Sequence, residues 1–518
     1  MRQRPSRRFG EKDDRWRRRR AWLLVALTIP SAAVYFALLP GGLNPNHPFI
    51  GILFLFAEAM CLGLFVLSAA DVWRLRYKPS TGVDLGGLGT ASVDVFITAC
   101  GEPIEVLEKT LRAAAKLEWG GPLQVYVLDD AGSGDLRRIA GELGFTYLSR
   151  NHDARDGEPG KAGNLNFGLE RSDGELILVL DADQVAIPAA IRVMAGYLRF
   201  SSVAFVQSKQ TFWVPEGDPF NSQDTVFYDT VQLAFDADDS VISCGSGVIY
   251  RRQALEEIGG FVTWNLVEDL TTSYELHSRG WKSLYFPYPV SIGVAPLTIR
   301  GVYQQRSQWG LDSMRLFFWD NPLFKKGLKW QARLNHLVVG TSYIWAGFAM
   351  PIFFLIPPWT YLTGNPLIVN SELEIVISRL VYFVLYALSA EHLYRGRNPG
   401  KQFQFLAGMF PVYLWSTIKA LFYPPGRRPR YQVSNISREH RRGVSLFSLG
   451  PQLVVFAANA VLPFYAIFAV TSNPWIIVAN ALVSCFVLWT LWPIITESLR
   501  AREARSLPTG EFSVELAT

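Results

Sequence analysis

The sequence predicts an α/β domain with a mostly parallel sheet, inserted into a bundle of membrane-spanning helices. Two observations lead to this prediction. Between residues 90 and 300, short apolar runs alternate with helix-like stretches, which is typical of a parallel sheet covered by helices on both faces. Long apolar runs lie on either side of this region, and most of them reach or approach the roughly 20 residues that cross a bilayer core.

Seven apolar runs are candidate membrane spans. They cover residues 21–39, 49–70, 337–362, 375–390, 403–423, 453–470 and 475–495. The first run has the look of a signal peptide, but Leu39-Pro40 is a poor cleavage site and a second apolar run follows at once. We therefore expect the N-terminal run to be retained as a membrane anchor.

Basic residues predict the orientation of these spans. Residues 1–20 hold nine arginines and one lysine against three acids, so the N-terminus should be cytoplasmic. The region 72–336 then also lies in the cytoplasm. The loop 425–443, with six arginines and one glutamate, should face the same side, but seven spans would place it outside. If 403–423, which contains Lys419, lies in the membrane interface, six spans remain and both termini are inside; seven spans are the alternative.

Composition excludes some functions. The formal net charge of +5 is modest and is largely explained by the membrane flanks, and no basic-aromatic pattern indicates a nucleic-acid partner. The four cysteines are scattered along the chain, at positions 61, 100, 244 and 485. Their spacing fits neither a metal site nor a disulfide framework.

Three apolar runs in the 90–300 region predict buried strands. They are VDVFIT (93–98), LQVYVLDD (123–130) and LILVLDAD (176–183). In a parallel sheet, ligands bind beyond the carboxyl ends of the strands. Two of the three runs end in acids, Asp129-Asp130 and Asp181-Ala182-Asp183. These carboxylates are therefore candidates for a functional site.

The pair Asp181 and Asp183 has two interpretations. An isolated Asp-x-Asp is more often a helix cap or a solvated turn. After a buried strand, however, two carboxylates one residue apart suit a hard divalent ion such as Mg²⁺, which takes oxygen ligands and shares them with a diphosphate. The context favours the metal interpretation.

Three further segments contain residues suited to chemistry. Lys161 lies in a glycine-rich turn before a helix, where it could meet a phosphate or simply be exposed. Glu268 and Asp269 start a predicted helix. They could simply cap its N-terminus, or one of them could serve as a general base. The segment QRSQW (305–309) could bind sugar and diphosphate, or serve a helix lying on the membrane surface.

Taken in order, the segments resemble inverting family 2 glycosyltransferases of the processive, membrane-embedded cellulose-synthase type. The matching segments are VDVFITACGEPIEVLEKTL (93–111), VYVLDDAG (125–132), KAGNLN (161–166), DAD (181–183), CGSGVIYRRQALEEIGGF (244–261), VEDL with LHSRGW (267–281), and QRSQW followed by DNPL (305–323). YQVSN (431–435) also resembles the family's cytoplasmic gating loop. The resemblance implies a glycosyltransferase-A fold, with a Rossmann-like, mixed, mostly parallel sheet.

The resemblance also implies a role for each candidate residue. The expected nucleotide contacts are Thr98, Glu102, Asp129, Asp130 and Lys161. Asp181 and Asp183 would hold Mg²⁺ or Mn²⁺, with Asp181 and Arg306 at the diphosphate leaving group. Asp269 would be the catalytic base, with Glu268 beside it. The expected acceptor contacts are Cys244, Gly245, Ser246, Gln305 and Trp309.

The function implied is sugar transfer from a nucleotide-sugar donor, with UDP-glucose expected, to a growing β-glycan that is then exported. The implied partners are the donor, the nascent polysaccharide, the lipid bilayer and accessory export subunits, and the implied location is the inner (plasma) membrane with a cytoplasmic catalytic domain. Two alternatives stay open: single sugar addition to a lipid acceptor, and a non-catalytic membrane transport component.

Eight segments follow from this prediction. They are a basic cytoplasmic N-terminus (1–20), two transmembrane helices (21–71), a glycosyltransferase domain (72–299), amphipathic interfacial helices (300–336), transmembrane helices with an interfacial helix (337–424), a cytoplasmic gating-type loop (425–446), two transmembrane helices (447–496) and a cytoplasmic tail (497–518). The 23 residues after position 495 are too few for a cyclic-di-GMP-binding barrel.

Departures from the family pattern bear on the product. Gln308 stands where the family has arginine, so that Arg306 or Arg315 would have to supply the missing positive charge. The segment before Lys161 lacks a histidine found in close cellulose synthases. These departures affect the prediction of cellulose as product more than the prediction of catalysis. Glu58, inside a span, is expected either to line a polysaccharide channel or to pair with another span.

Overall fold

An α/β domain lies between two groups of long helices in this computed structural model. The structure describes residues 11–73, 86–150, 160–214, 217–296, 298–369, 372–394, 397–429, 446–469 and 474–499. Two helices precede the domain, α1 (Glu11–Gly42) and α2 (Pro48–Trp73). The predicted gating-type loop 425–446 lies outside the described residues except for its ends, as do the first half of the predicted N-terminal segment and nearly all of the predicted tail.

The domain alternates strands and helices as the apolar pattern predicts. Its elements are β1 (Val93–Ala99), α3 (Ile104–Ala114), β2 (Leu123–Asp129), α4 (Gly134–Glu142), β3 (Thr146–Ser149), α5 (Gly160–Leu169), β4 (Leu176–Asp181), β5 (Val185–Ala186), α6 (Ala190–Ala195), β6 (Val203–Ser208), β7 (Phe212–Trp213), α7 (Gln232–Ala237), β8 (Val248–Arg251), α8 (Arg252–Glu257), α9 (Glu268–Ser278), β9 (Lys282–Phe286) and β10 (Ser291–Val294).

Seven strands form the main sheet, in the order β3-β2-β1-β4-β8-β6-β9. Strand β8 runs antiparallel to both of its neighbours, and the other pairings are parallel. A small sheet of order β5-β10-β7 lies beside it. The prediction of a mixed, mostly parallel sheet is confirmed.

The central strands are apolar because helices cover both faces of the sheet. Every residue of β1 is buried. Ile97 belongs to the core cluster that includes Leu111 of α3, and Phe96 to the cluster on the opposite face that includes Leu165 of α5. The register pairs the last residues of β1 with the ends of β4 and β2, so that the three strands end at one edge.

After the domain, the chain is helical in its described parts. The helices are α10 (Ile299–Trp319), α11 (Trp330–Ile344), α12 (Met350–Thr363), α13 (Glu372–Leu393), α14 (Pro399–Gly408), α15 (Phe410–Leu421), α16 (Gly450–Ala469) and α17 (Pro474–Leu499). A π turn, Trp345–Ala349, joins α11 to α12, so that Trp330–Thr363 is one long helical segment.

Six helical segments of the described chain are long and apolar enough to cross a membrane. They are Arg19–Gly42, Pro48–Ala70, Trp330–Thr363, Leu373–Leu393, Gly450–Phe468 and Pro474–Leu499. The apolar run 403–423 is not among them, because the chain breaks at Met409 into two short helices, α14 and α15. This agrees with the six-span prediction rather than the seven-span alternative.

Glu58 is paired within the helical bundle. Its Oε1 lies 2.8 Å from Nη2 of Arg379 on α13 and accepts a hydrogen bond from the Tyr35 hydroxyl on α1 at 3.0 Å. The arginine also lies over the rings of Phe54 and Phe353. Since an intramembrane charge is stable only with a partner, this arrangement favours the pairing interpretation of Glu58 over the channel-lining one.

Candidate active site

The predicted nucleotide-binding residues lie at the carboxyl edge of the sheet, and Asp129 shapes that edge. One Asp129 oxygen accepts the Ala131 N–H at 2.8 Å. The other accepts the Ser133 N–H at 2.6 Å and the Tyr147 hydroxyl at 2.7 Å. The carboxylate is fully buried. It therefore holds the turn from β2 into α4, and both of its oxygens are used within the chain.

Asp130 and Glu102 lie beside this turn. Arg150 donates to both oxygens of Asp130, at 2.7 and 2.5 Å, and to the carbonyl of Gly160 at 3.2 Å. Glu102 accepts the Cys100 N–H at 2.6 Å, and burial raises the pKa of its carboxyl. Arg150 thus joins the end of β2 to the start of α5, the helix that carries the predicted lysine.

Lys161 is the positive charge at the centre of the site. Its Nζ lies 2.5 Å from Oδ1 of Asp181 and 3.3 Å from Oε1 of Glu268, and it donates to the carbonyl of Gly245 at 2.6 Å. Burial alone would lower the pKa of Lys161, but the two carboxylates raise it well above its ordinary value. The amine therefore stays charged and joins the end of β4 and the start of α5 to the start of α9.

Asp181 and Asp183 diverge after β4. Asp181 also accepts the Thr98 hydroxyl at 3.5 Å, and its own N–H donates to Oγ of Ser246. Asp183 turns toward β10 and accepts the Val294 N–H at 2.8 Å. Burial, and next the charge of Asp181, raise the pKa of Asp183 to about 6. An opposing positive charge at this position would lower the cost of ionising both acids.

Glu268 and Asp269 form the first turn of α9, as predicted. Oδ1 of Asp269 accepts the Leu270 N–H at 2.6 Å, so the residue serves the helix start as well as the site. Burial, and next the adjacent Glu268 carboxylate, hold the pKa of Asp269 well above its ordinary value. A carboxylate in this state takes up a proton readily, which suits a general base.

The segment Cys244-Gly245-Ser246 passes directly over Asp269. Gly245 has a φ of +78°, and a Cβ there would lie 2.8 Å from Oδ2 of Asp269 and 3.0 Å from Nζ of Lys161. Only glycine allows the backbone to approach both groups this closely. The structure therefore brings the predicted acceptor residues against the predicted base.

Three buried glutamines hold the 242–246 segment, and the sequence reasoning missed them. Gln207 accepts the Cys244 N–H at 2.7 Å and donates to the Ser246 carbonyl at 2.9 Å. Gln210 donates to the Cys244 carbonyl, and Gln232 both donates to and accepts from the backbone at position 242. The one available signal was a glutamine near the end of an otherwise apolar strand, β6.

The α10 residues lie farther toward the helical bundle. Arg306 pairs with Asp224 at 3.4 Å and lies over the rings of Trp309 and Phe405, at 4.8 and 5.3 Å. Gln305 and Trp309 are half-buried on the same helix. The geometry therefore groups Arg306 with a tryptophan and an acid outside the DAD segment, rather than with the acids that follow β4.

Arg315 does not replace the charge missing at Gln308. Its side chain is fully buried, and its nitrogens donate to backbone carbonyls and to neighbouring side chains, including Asn265 at 2.8 Å. A guanidinium enclosed in this way cannot reach a leaving group. That part of the expectation is wrong, because the Arg315 side chain is enclosed between α10, Asn265 and the segment that follows α15.

Two family models match the chain. Residues 91–311 match "Glycosyltransferase like family 2", and residues 256–394 match "Cellulose synthase". The two matches overlap on α9 and α10. They include every predicted site residue. Residues 91–311 thus match a family 2 glycosyltransferase domain, and the second match extends the similarity to residue 394.

Several bacterial relatives of this chain are named as cellulose synthase catalytic subunits [UDP-forming]. A Komagataeibacter xylinus subunit is 28% identical over 72% of this chain and 50% of its own length. One from Xanthomonas axonopodis pv. citri is 31% identical over 56% of this chain and 40% of its own length. The chain thus spans half or less of the length of these relatives.

The fold of this chain has a solved counterpart. A mannosyltransferase from Pyrobaculum calidifontis, solved with GDP-Man and Mn²⁺, superposes with a TM-score of 0.52 at 17% identity. The match covers 71% of this chain and 99% of the mannosyltransferase. The glycosyltransferase-A fold predicted for the α/β domain is confirmed.

Proposed function

We propose that this glycosyltransferase transfers a sugar from a UDP-sugar, with UDP-glucose as the expected donor, to the end of a growing β-glycan. The observation that carries the proposal is the approach of Gly245 to Asp269 and Lys161 at the carboxyl edge of the sheet. This approach gathers a base, a fixed cation and a backbone surface for an acceptor into one cluster. The names of the UDP-forming relatives support the choice of donor.

A divalent metal fits the carboxylates of Asp181 and Asp183. Both supply hard oxygen ligands, and burial, followed by the negative charge of Asp181, raises the pKa of Asp183, so a cation at this position would favour its ionised form. Within the described residues, no group of three or more His, Cys, Asp or Glu side chains could hold a metal alone. Diphosphate oxygens would complete the coordination, and the bound Mg²⁺ or Mn²⁺ would offset the negative charge of the leaving group.

The chain's own residues would carry out the proton transfer. Asp269 accepts the proton of the acceptor hydroxyl, whose oxygen forms a bond to the anomeric carbon of the donor. The bond from that carbon to the diphosphate oxygen breaks, and its electron pair leaves with UDP. Lys161 holds Asp181 and the Gly245 carbonyl in place during this step, which is positioning catalysis rather than covalent chemistry.

In this proposal, the product leaves through the helical bundle. Six helices of membrane-spanning length flank the domain in the described chain, and α10 connects the site to them. The basic segment 1–20 supports a location of the domain on the cytoplasmic side of the inner membrane. A growing polar chain needs such a protein-lined path, since lipid offers no hydrogen bonds.

The test uses the purified full-length protein in lipid nanodiscs. Radiolabelled UDP-glucose, UDP-N-acetylglucosamine and GDP-mannose are supplied one at a time with Mg²⁺ or Mn²⁺. We expect UDP release and an insoluble β-linked polymer from one UDP-sugar. A product found only in the lipid extract would establish single addition to a lipid acceptor, and no transfer from any donor would refute catalysis.

A matched pair of variants completes the test. Asp269→Asn should lower the rate of transfer at least about 100-fold. Asp236→Asn should not, although Asp236 is also buried and also accepts a backbone N–H, from Tyr285 at 2.9 Å. If Asp269→Asn transfers sugar as fast as Asp236→Asn, Asp269 is not the base.

A further inference from the structure

Arg315 forms a fully enclosed clamp beneath α9. Its guanidinium has five N–H groups, and five acceptors surround it. They are Oδ1 of Asn265, Oδ1 of Asp312 and the carbonyl oxygens of Tyr423, Pro424 and Arg427, at 2.8 to 3.4 Å. Trp264 packs against the same guanidinium at 5.2 Å. The side chain is thus held from three directions, by α10, by the turn 264–267 and by the segment that follows α15.

Asp312 connects this clamp to the residue before the catalytic acids. Its Oδ1 pairs with Arg315, and its Oδ2 accepts the Val267 N–H at 2.6 Å. The Asp312 side chain is fully buried. Because Glu268 and Asp269 follow Val267 directly, a shift of Asp312 would move the start of α9.

Asn265 closes the network from the other side. Its Oδ1 accepts from Arg315, while its Nδ2 donates to Oγ1 of Thr271 at 3.0 Å and to the carbonyl of Asp312 at 3.1 Å. Thr271 in turn donates to the Val267 carbonyl at 3.3 Å. Both backbone polar groups of Val267 are therefore fixed by side chains that the clamp holds.

We propose that Asp312 and Arg315 are positioning residues that set the Asp269 carboxylate against the Cys244-Gly245-Ser246 segment. They touch neither the base nor the acceptor segment, and they act through Val267 and the first turn of α9. This proposal rests on the proposed function, in which Asp269 is the base. It explains why a buried, costly ion pair lies under a helix whose first turn carries the reaction.

The clamp also links the start of α9 to the segment that follows α15. Three of the five acceptors come from the segment that follows the short helix α15, and Trp319 of α10 donates to the Ala420 carbonyl of that helix at 2.8 Å. The start of α9 is therefore aligned to the helices next to the membrane as well as to the sheet. The clamp thereby keeps the base aligned with the helices that would receive the product.

The experiment compares Arg315→Lys with Arg252→Lys in the full-length protein in nanodiscs. Arg252 is the matched control, since it is also largely buried, pairs with Asp94 at 3.0 Å and donates to the carbonyls of Gly174 and Leu169 away from the site. Lysine keeps the charge but cannot serve five acceptors. We expect Arg315→Lys to lower kcat at least about tenfold with the donor KM within about twofold.

Hydrogen–deuterium exchange supplies a readout independent of catalysis. The proposal requires faster exchange in residues 264–272 of Arg315→Lys, with the strands β1 and β4 unchanged, and neither effect in Arg252→Lys. Unchanged exchange at 264–272, or an equal loss of protection across the whole domain, would overturn it. An equal fall of kcat in both variants would do the same.

Two further controls keep the outcome decisive. If Arg315→Lys does not fold, Asn265→Ala takes its place, because it cuts the link from Arg315 to Thr271 without leaving a buried charge unpaired. If the wild-type protein transfers no sugar from any donor, the proposed function fails, and the exchange rates at 264–272 still decide whether the clamp positions α9.

Discussion

Two clusters of buried charge differ in how their charges balance. In the helical bundle, Glu58 has one cation, Arg379, and one hydroxyl donor, Tyr35. At the edge of the sheet, a single amine, that of Lys161, lies among four carboxylates. Three of them, Asp181, Glu268 and Asp269, act directly on the amine, and the fourth, Asp183, lies two residues beyond Asp181.

The difference distinguishes a structural pair from the proposed active site. A balanced pair has no need of a ligand. In the second cluster, burial and then the neighbouring carboxylates raise the pKa values of Asp183 and Asp269, and a cation or a proton would reduce the repulsion. Perturbed groups of this kind concentrate at active sites. Four experiments test the contrast, beginning with the largest expected effect.

Removing the base should have the largest effect on activity. Asp269→Asn is expected to lower the rate of sugar transfer by about 10²- to 10⁴-fold, the usual contribution of general base catalysis. The melting temperature should not fall, because the change removes one of several repelling carboxylates. Radiolabelled polymer and thermal unfolding measure the two quantities. A fall in both the transfer rate and the melting temperature would show that Asp269 has a structural role.

Metal removal should stop the reaction at the same cluster. We expect a chelator to abolish sugar transfer and added Mn²⁺ or Mg²⁺ to restore it. In Asp183→Asn, which loses the charge but keeps an oxygen for the Val294 N–H, the Mn²⁺ concentration for half-maximal activity should rise about 10- to 100-fold. Full activity in the chelator would exclude this use of the two acids.

Breaking the balanced pair should affect stability and not catalysis. Glu58→Gln leaves Arg379 without its carboxylate. Loss of one partner of a fully buried pair costs about 3–5 kcal/mol, and the loss here should be smaller because the Arg379 side chain is 35% exposed. We expect a lower melting temperature and an unchanged kcat. The double variant Glu58→Gln with Arg379→Gln should recover part of the melting temperature. A large fall in kcat without loss of stability would instead support the channel-lining role.

The smallest expected effect is a displaced pH profile. Burial and the charge of the adjacent Glu268 both raise the pKa of Asp269, so Glu268→Gln should lower that pKa by removing the charge. The base then stays deprotonated at lower pH, and the acidic limb of the kcat profile should move toward acid. A limb that stays in place or moves toward alkaline pH would show that Glu268 does not act on Asp269 by its charge.

The fold was predictable because its signals are local. The apolar strands 93–98, 123–130 and 176–183 and the long apolar runs specify buried elements by composition alone. The antiparallel course of β8 was not readable, since strand direction depends on how the chain crosses the sheet. The break of the 403–423 run into α14 and α15 is also invisible to hydropathy, and it lies just before Pro411, which occupies the first turn of α15.

By itself, the sequence determined which residues could carry the chemistry. The acids after β2 and β4, the lysine that begins α5 and the acids that start α9 are all visible as residue types at the ends of predicted elements. Whether these residues lie close together depends on strand register and on how the chain crosses the sheet, and only the tertiary structure decided it. The structure brought Lys161 against Asp181 and Glu268. It also directed Asp129 into its own turn and enclosed Arg315 beneath α9. The physical reason is that side-chain type is a property of the chain, whereas the partner of each charge depends on the packing of distant segments.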